Sequence, residues 1–121
     1  YTNNRIAKLQ GENDFDGIIA VADEMLAVNP QDALAQKIRL QALFDKKDYA
    51  GVIASAEEAA AGQTDEEERS DVYFILGAAY NARTMPQQAI DALSKVTAGA
   101  NVAAAQKTVA QLKENAAKAN S

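Results

Sequence analysis

The feature that most constrains this chain is that it repeats itself. Arg5 to Ala27, RIAKLQGENDFDGIIAVADEMLA, aligns without a gap on Arg39 to Ala61, RLQALFDKKDYAGVIASAEEAAA, at an offset of 34 (position 5 to position 39). Arg5/Arg39, Leu9/Leu43, Asp14/Asp48, Gly17/Gly51, Ile19/Ile53 and Ala22/Ala56 are identical pairs, and Ile6/Leu40, Phe15/Tyr49 and Ile18/Val52 keep their character. A third copy follows the polar stretch GQTDEEER, which absorbs its longer spacing; Ile90 trails Ile53 by 37 (position 53 to position 90). A repeat of this length is one supersecondary unit that cannot bury its apolar face alone, so the copies must stack.

Each copy reads as helix, short turn, helix. Asp14 and Asp48 precede Phe15 and Tyr49, which suits an aspartate N-cap whose carboxylate accepts a free helix amide. In the third copy Thr84 and Gln87 form a capping box around Pro86, a residue at home in the first turn. Thr64 and Glu67 form another box, and the run Asp65 to Glu68 then lies at the positive end of a helix dipole. Asn29-Pro30 ends one copy and opens the next helix in the same way. The second helix of the third copy carries Ala89, Ile90, Leu93 and Val96. Apolar residues make up 48% of the chain and aromatics only 6%, with alanine dominant, so the predicted class is all-α with close helix approach.

The third copy reads Tyr73-x-x-Leu76-Gly77-x-x-Tyr80, then Pro86-x-x-Ala89-Ile90-x-x-Leu93-x-x-Val96. With the ~34-residue period, this resembles the tetratricopeptide repeat. The resemblance covers about residues 3 to 100. It implies a right-handed α–α superhelix: three helix–turn–helix repeats, about 1–30, 31–63 and 64–100, in a single domain over 1–121. The first two copies depart from the pattern, with Arg5 and Arg39 where the family has a large apolar residue and Ile6 and Leu40 where it has a small one. In the family the small residue of the first helix faces the second helix of its unit, so Gly77 is expected opposite Ala89. Leu76, Tyr80, Ile90 and Leu93 complete the packing set. Glycine costs a helix interior up to ~1 kcal/mol relative to alanine, and contacts across that seam offset it.

Residues 101–118 are expected to cap the stack. Val102, Ala105, Val109, Leu112 and Ala116 form one apolar stripe at helical spacing, opposite Gln106, Lys107, Gln111 and Lys113. The tail from Lys118 to Ser121 is expected to fray. By the repeat register Tyr1 falls about three residues into its first helix, which predicts residues upstream.

The net charge of −5 argues against nucleic acid, whose phosphates need a basic face. No apolar run reaches the ~20 residues that span a bilayer. There is no cysteine and no histidine, so thiolate nucleophiles, imidazole bases and their zinc ligands are absent. Contiguous acids at Asp65–Glu68 lack the spacing of a calcium loop, and Gly11, Gly17 and Gly51 do not make a phosphate loop. Catalysis, cofactor and metal are therefore not expected.

The resemblance implies a concave face lined by the first helices. Carried over by position, it consists of Asn3, Ala7, Lys37, Gln41, Phe44, Asp71, Phe74, Ala78 and Asn81. The family's clamp for chaperone carboxylates is not expected, because Phe74 and Ala78 replace its basic residues. An extended or helical peptide with an apolar side chain near Phe74 and amide contacts to Gln41 and Asn81 fits better. The expected function is a non-enzymatic protein–protein interaction module within a larger scaffold. The second reading is a structural domain that self-associates through its helical ends into a homo-oligomer. Abundant Asn, Gln, Ala and Lys suit a bacterial protein. A start at Tyr1 fits an exported, periplasmic chain or a cytoplasmic domain equally.

Overall fold

The computed structural model describes residues 2–119, with side chains described for 4–119. Its elements are seven helices: α1 (Thr2–Gly11), α2 (Phe15–Val28), α3 (Ala33–Asp45), α4 (Tyr49–Gly62), α5 (Glu66–Ala82), α6 (Pro86–Leu93) and α7 (Val102–Ala119). Among the described residues there is no strand, and no helix is long and apolar enough to cross a membrane. Each helix packs on its neighbours in sequence, and α3 also meets α5. The protein is all-α, built of consecutive helical hairpins.

The three hairpin turns share one construction. Asn13, Lys47 and Thr84 adopt left-handed backbone, with φ of 56°, 69° and 58°. The next amide in each case reaches back across the turn: Asp14 N to Leu9 O at 2.9 Å, Asp48 N to Leu43 O at 2.8 Å and Met85 N to Tyr80 O at 2.9 Å. The left-handed residue's own amide closes the inner bond, to the carbonyls of Gln10, Phe44 and Asn81. This is a Schellman closure, which satisfies the orphan carbonyls at a helix end. The second helices then begin on Asp14 and Asp48, whose carboxylates accept from Gly17 N at 2.9 Å and Gly51 N at 3.0 Å.

Three other expected helix starts are corrected. Thr84 cannot cap α6, because it is the left-handed residue of the turn; Met85 occupies the cap position without a side-chain bond, and Pro86 opens the helix. At α5 the cap is Asp65, which accepts from Glu67 N at 2.7 Å, rather than Thr64. At α3 the cap is Asp32, which accepts from Ala35 N at 3.1 Å, and Pro30 lies in the preceding turn. In each case a neighbouring residue offers a better-placed oxygen or the chain direction is already committed.

Two further expectations change. Val96 lies beyond the end of α6, in the connection to α7, yet is buried at 5% exposure. That connection is held by α5: Ser70, 1% exposed, accepts from Thr97 N at 3.1 Å and Ala98 N at 3.2 Å. The amides that would have continued α6 are satisfied there instead. At the other end α7 runs through Lys118, which pairs with Glu114 at 3.2 Å. The expectations for Tyr1, Asn120 and Ser121 lie outside the described residues.

The core is lined with small residues. Ala22, Ala35, Ala56, Ala79 and Ala89 are fully buried, and Leu40, Val52 and Val72 fill the space between them. Gly77 faces α6 as expected, but the nearest side chain is Leu93. A Cβ at Gly77 would stand 2.5 Å from Leu93 Cγ and 3.5 Å from the Ala89 carbonyl oxygen. Leu93 is 3% exposed and has little room to retreat.

Two glycine exchanges are therefore expected to act in opposite directions. Gly77→Ala adds helix propensity but overpacks the seam, for a net loss of about 1 kcal/mol in urea unfolding. Thr84→Gly relieves a β-branched residue held in left-handed backbone and is expected to gain about 0.5–1 kcal/mol. Stabilisation by the first, or destabilisation by the second, would contradict these local readings.

Candidate functional site

An open cleft of roughly 800 Å³ lies on the first-helix side of the second hairpin. Successive turns of α3 supply one wall: Leu34, Lys37 and Ile38, Gln41, Asp45. These positions recur every three or four residues and so share a helix face. Phe15 and Ile18 of α2 form the apolar floor with Ala42, while Gln10 and Asn13 from the end of α1 and Glu68 from α5 complete the rim. Leu34 is 53% exposed and lines the cleft beside Ile38. The volume lies in the range of ordinary ligand sites, about 300–1,000 Å³.

Lys37 is the electrostatic centre. Its ammonium donates to Asp71 Oδ2 at 2.8 Å and to Glu68, both on α5. Asp71 also accepts from Asn101 Nδ2 at 3.1 Å, which extends the link to the start of α7. Partial burial lowers the Lys37 pKa, but hydrogen bonds and charge from Asp71 and Glu68 outweigh it, and the net shift is upward. Asp45 is held by a neutral donor, Gln41 Nε2, at 2.9 Å. At the cleft's end Lys46 pairs with Asp16 of α2 at 2.7 Å, tying α3 to α2.

The residues expected on the concave face separate into groups. Lys37 and Gln41 line the cleft, and Asp71 joins it through Lys37. Ala7 is exposed on α1, Ala78 is half-buried on α5, and the side chain of Asn3 lies outside those described. Phe44 packs edge-on against Tyr49 with ring centroids 5.6 Å apart. Phe74, half-buried, packs against the cluster of Leu93, Val96 and Ala105, against which Val102, Val109 and Leu112 of α7 also pack. Phe74 is thus partly engaged by the protein's own residues on α6, the following connection and α7. Asn81 borders a separate hollow of roughly 440 Å³ with Pro86, Leu112 and Asn115.

Leu34, Ile38, Asp45 and Glu68 were not foreseen as lining residues. The signal was present, since Leu34, Ile38 and Asp45 flank Lys37 and Gln41 at helical spacing. Glu68 required the α3–α5 contact, which no local pattern encodes. Among the packing set, Leu76, Gly77, Ala89 and Leu93 are buried, and Tyr80 and Ile90 are half-buried. No protein-family model matches this chain, and no curated protein matches it significantly.

The Lys37 bridge carries a pH prediction. A lysine whose folded pKa is raised contributes stability fully below its unfolded value of 10.5, lost as pH rises through the folded value. Lys37→Met, which leaves Asp71 and Glu68 without their shared cation, is expected to cost about 1 kcal/mol near neutrality. As pH rises from about 10 to above 11, through the raised folded value, the wild type should lose more stability than the variant, read as the difference between their urea midpoints. Parallel curves would show that the bridge does not couple to folding.

Proposed function

We propose that the chain is a tetratricopeptide-type interaction module: a right-handed superhelix of three repeats with α7 as its cap, without catalytic activity, that holds a peptide or partner helix as part of a larger scaffold. The observation that carries this reading is the cleft with an apolar floor, an exposed Leu34 and an amide, Gln41, on one helix face. The equivalent turns at Asn13, Lys47 and Thr84 support the repeat assignment. Apolar contacts would supply affinity, and Gln10, Asn13 and Gln41 would pair with a bound backbone.

A second reading, stacking of copies through their ends, is favoured by one feature. Beside α6, a hollow of roughly 560 Å³ exposes Val109 and Ala110 of α7 next to Leu93 and Val96. Light scattering over a concentration series separates the two, and a strict monomer at high concentration removes this second reading.

The primary test is capture of partner protein on the immobilised chain, compared with a Leu34→Ser, Gln41→Ala double variant. Both side chains are exposed, so helicity and urea midpoint should hold while capture falls about tenfold or more. Undiminished capture by a folded variant would remove the cleft from the binding surface.

A further inference from the structure

We infer that the cleft takes a peptide segment of positive charge, with lysine or arginine on either side of one apolar residue. This rests on the peptide-binding reading above and specifies the partner's sign and spacing. The argument begins with the charge balance of the walls. Glu68, Asp71 and Asp45 supply three carboxylates. One ammonium faces them, that of Lys37, and it is already shared between Glu68 and Asp71. Asp45 has only the Gln41 amide, and among the described residues it forms no ion pair within 4.0 Å. The cleft is therefore surplus in negative charge above an apolar floor.

Glu68 is the freer of the two acids at Lys37, with its side chain 48% exposed against 27% for Asp71. A bound cation can draw Glu68 away while Asp71 keeps Lys37 at 2.8 Å. No buried charge is then stranded, which is the usual obstacle to exchanging an ion pair. The other cations nearby do not reverse the sign: Lys46 is engaged by Asp16, and counting the exposed Lys47 together with Lys37 still leaves three carboxylates against two ammonium groups.

The geometry also sets a spacing. Lys37 and Asp45 lie two helical turns apart on α3, roughly 12 Å at the helical rise. An extended peptide covers roughly 13 Å between positions one and five, and its first, third and fifth side chains point the same way. A cation at each end and a leucine between them would meet Glu68, the Ile38–Ala42 surface and Asp45 together. Charge complementarity of this kind selects partner and orientation.

The test is a titration of the full ¹⁵N-labelled chain, followed by amide chemical shifts, with two capped pentapeptides: Lys-Ser-Leu-Ser-Lys and Glu-Ser-Leu-Ser-Glu. The basic peptide is expected to shift Ile38, Gln41 and Asp45 saturably and to bind about tenfold tighter than the acidic one. Raising salt from about 50 to 300 mM should weaken it severalfold. Asp45→Asn, a change at an exposed side chain, should weaken it about three- to tenfold without moving the urea midpoint. Equal or tighter binding of the acidic peptide overturns the sign while leaving a peptide-binding cleft. Shifts confined to the acidic start of α5 at Asp65–Glu67, or none with either peptide, overturn the inference; the capture comparison with the Leu34, Gln41 variant then decides separately whether the cleft binds protein at all.

Discussion

Close approach of neighbouring helices through alanine and glycine is the constraint on which the rest of this structure depends. Ala22, Ala35, Ala56, Ala79 and Ala89 are wholly enclosed. With a methyl group or less at each contact, backbones come near enough for dispersion to act between main chains as well as side chains. The larger aliphatic residues, Leu40, Val52, Leu76 and Leu93, then fill the space the small ones leave. A chain with 6% aromatic residues has few large rings with which to build a single broad core. It distributes burial along a series of seams.

That arrangement makes stability a matter of nearest neighbours. Each hairpin closes by the same backbone bonds at Asn13, Lys47 and Thr84, so the direction of the chain is reset locally. One hairpin joins the next by packing of α2 on α3 and of α4 on α5, to which longer-range polar ties add. Lys37 links α3 to α5, Asp71 passes that link to Asn101, and Ser70 fastens the loop before α7. Lys37 and its partner Glu68 also line the cleft. The surface available to a partner and the contacts that hold the stack are thus made by the same face of α3.

Much of this was legible in the residues, for a physical reason. The aspartate caps at Asp14 and Asp48 act over three residues, so their partners are visible in the local sequence. The repeat at an offset of 34 exposed the helical pairs because stacking requires similar units. Where two capping residues adjoin, as at Thr64 and Asp65, the choice depends on chain direction and could not be read. Val96 left its helix because Ser70, far away in sequence, claims the amides that follow. Phe74 was assigned to the concave face by position, and its packing against Leu93, Val96 and Ala105 depends on the path of the 94–101 connection, which no local pattern encodes. Leu34 was missed although it stands one turn before Lys37 on the same face of α3.

The Gly77–Leu93 seam is where family resemblance, sequence pattern and packing meet, and it can be observed without altering the protein. A nuclear Overhauser experiment on the labelled chain measures proximity between the Gly77 α-protons and the Leu93 δ-methyls. Close helix approach predicts a strong cross-peak, because the space of the missing Cβ lies 2.5 Å from Leu93 Cδ2. Absence of that cross-peak in the folded protein, with both resonances assigned, would contradict the packing from which the stacked hairpins and their cleft are derived.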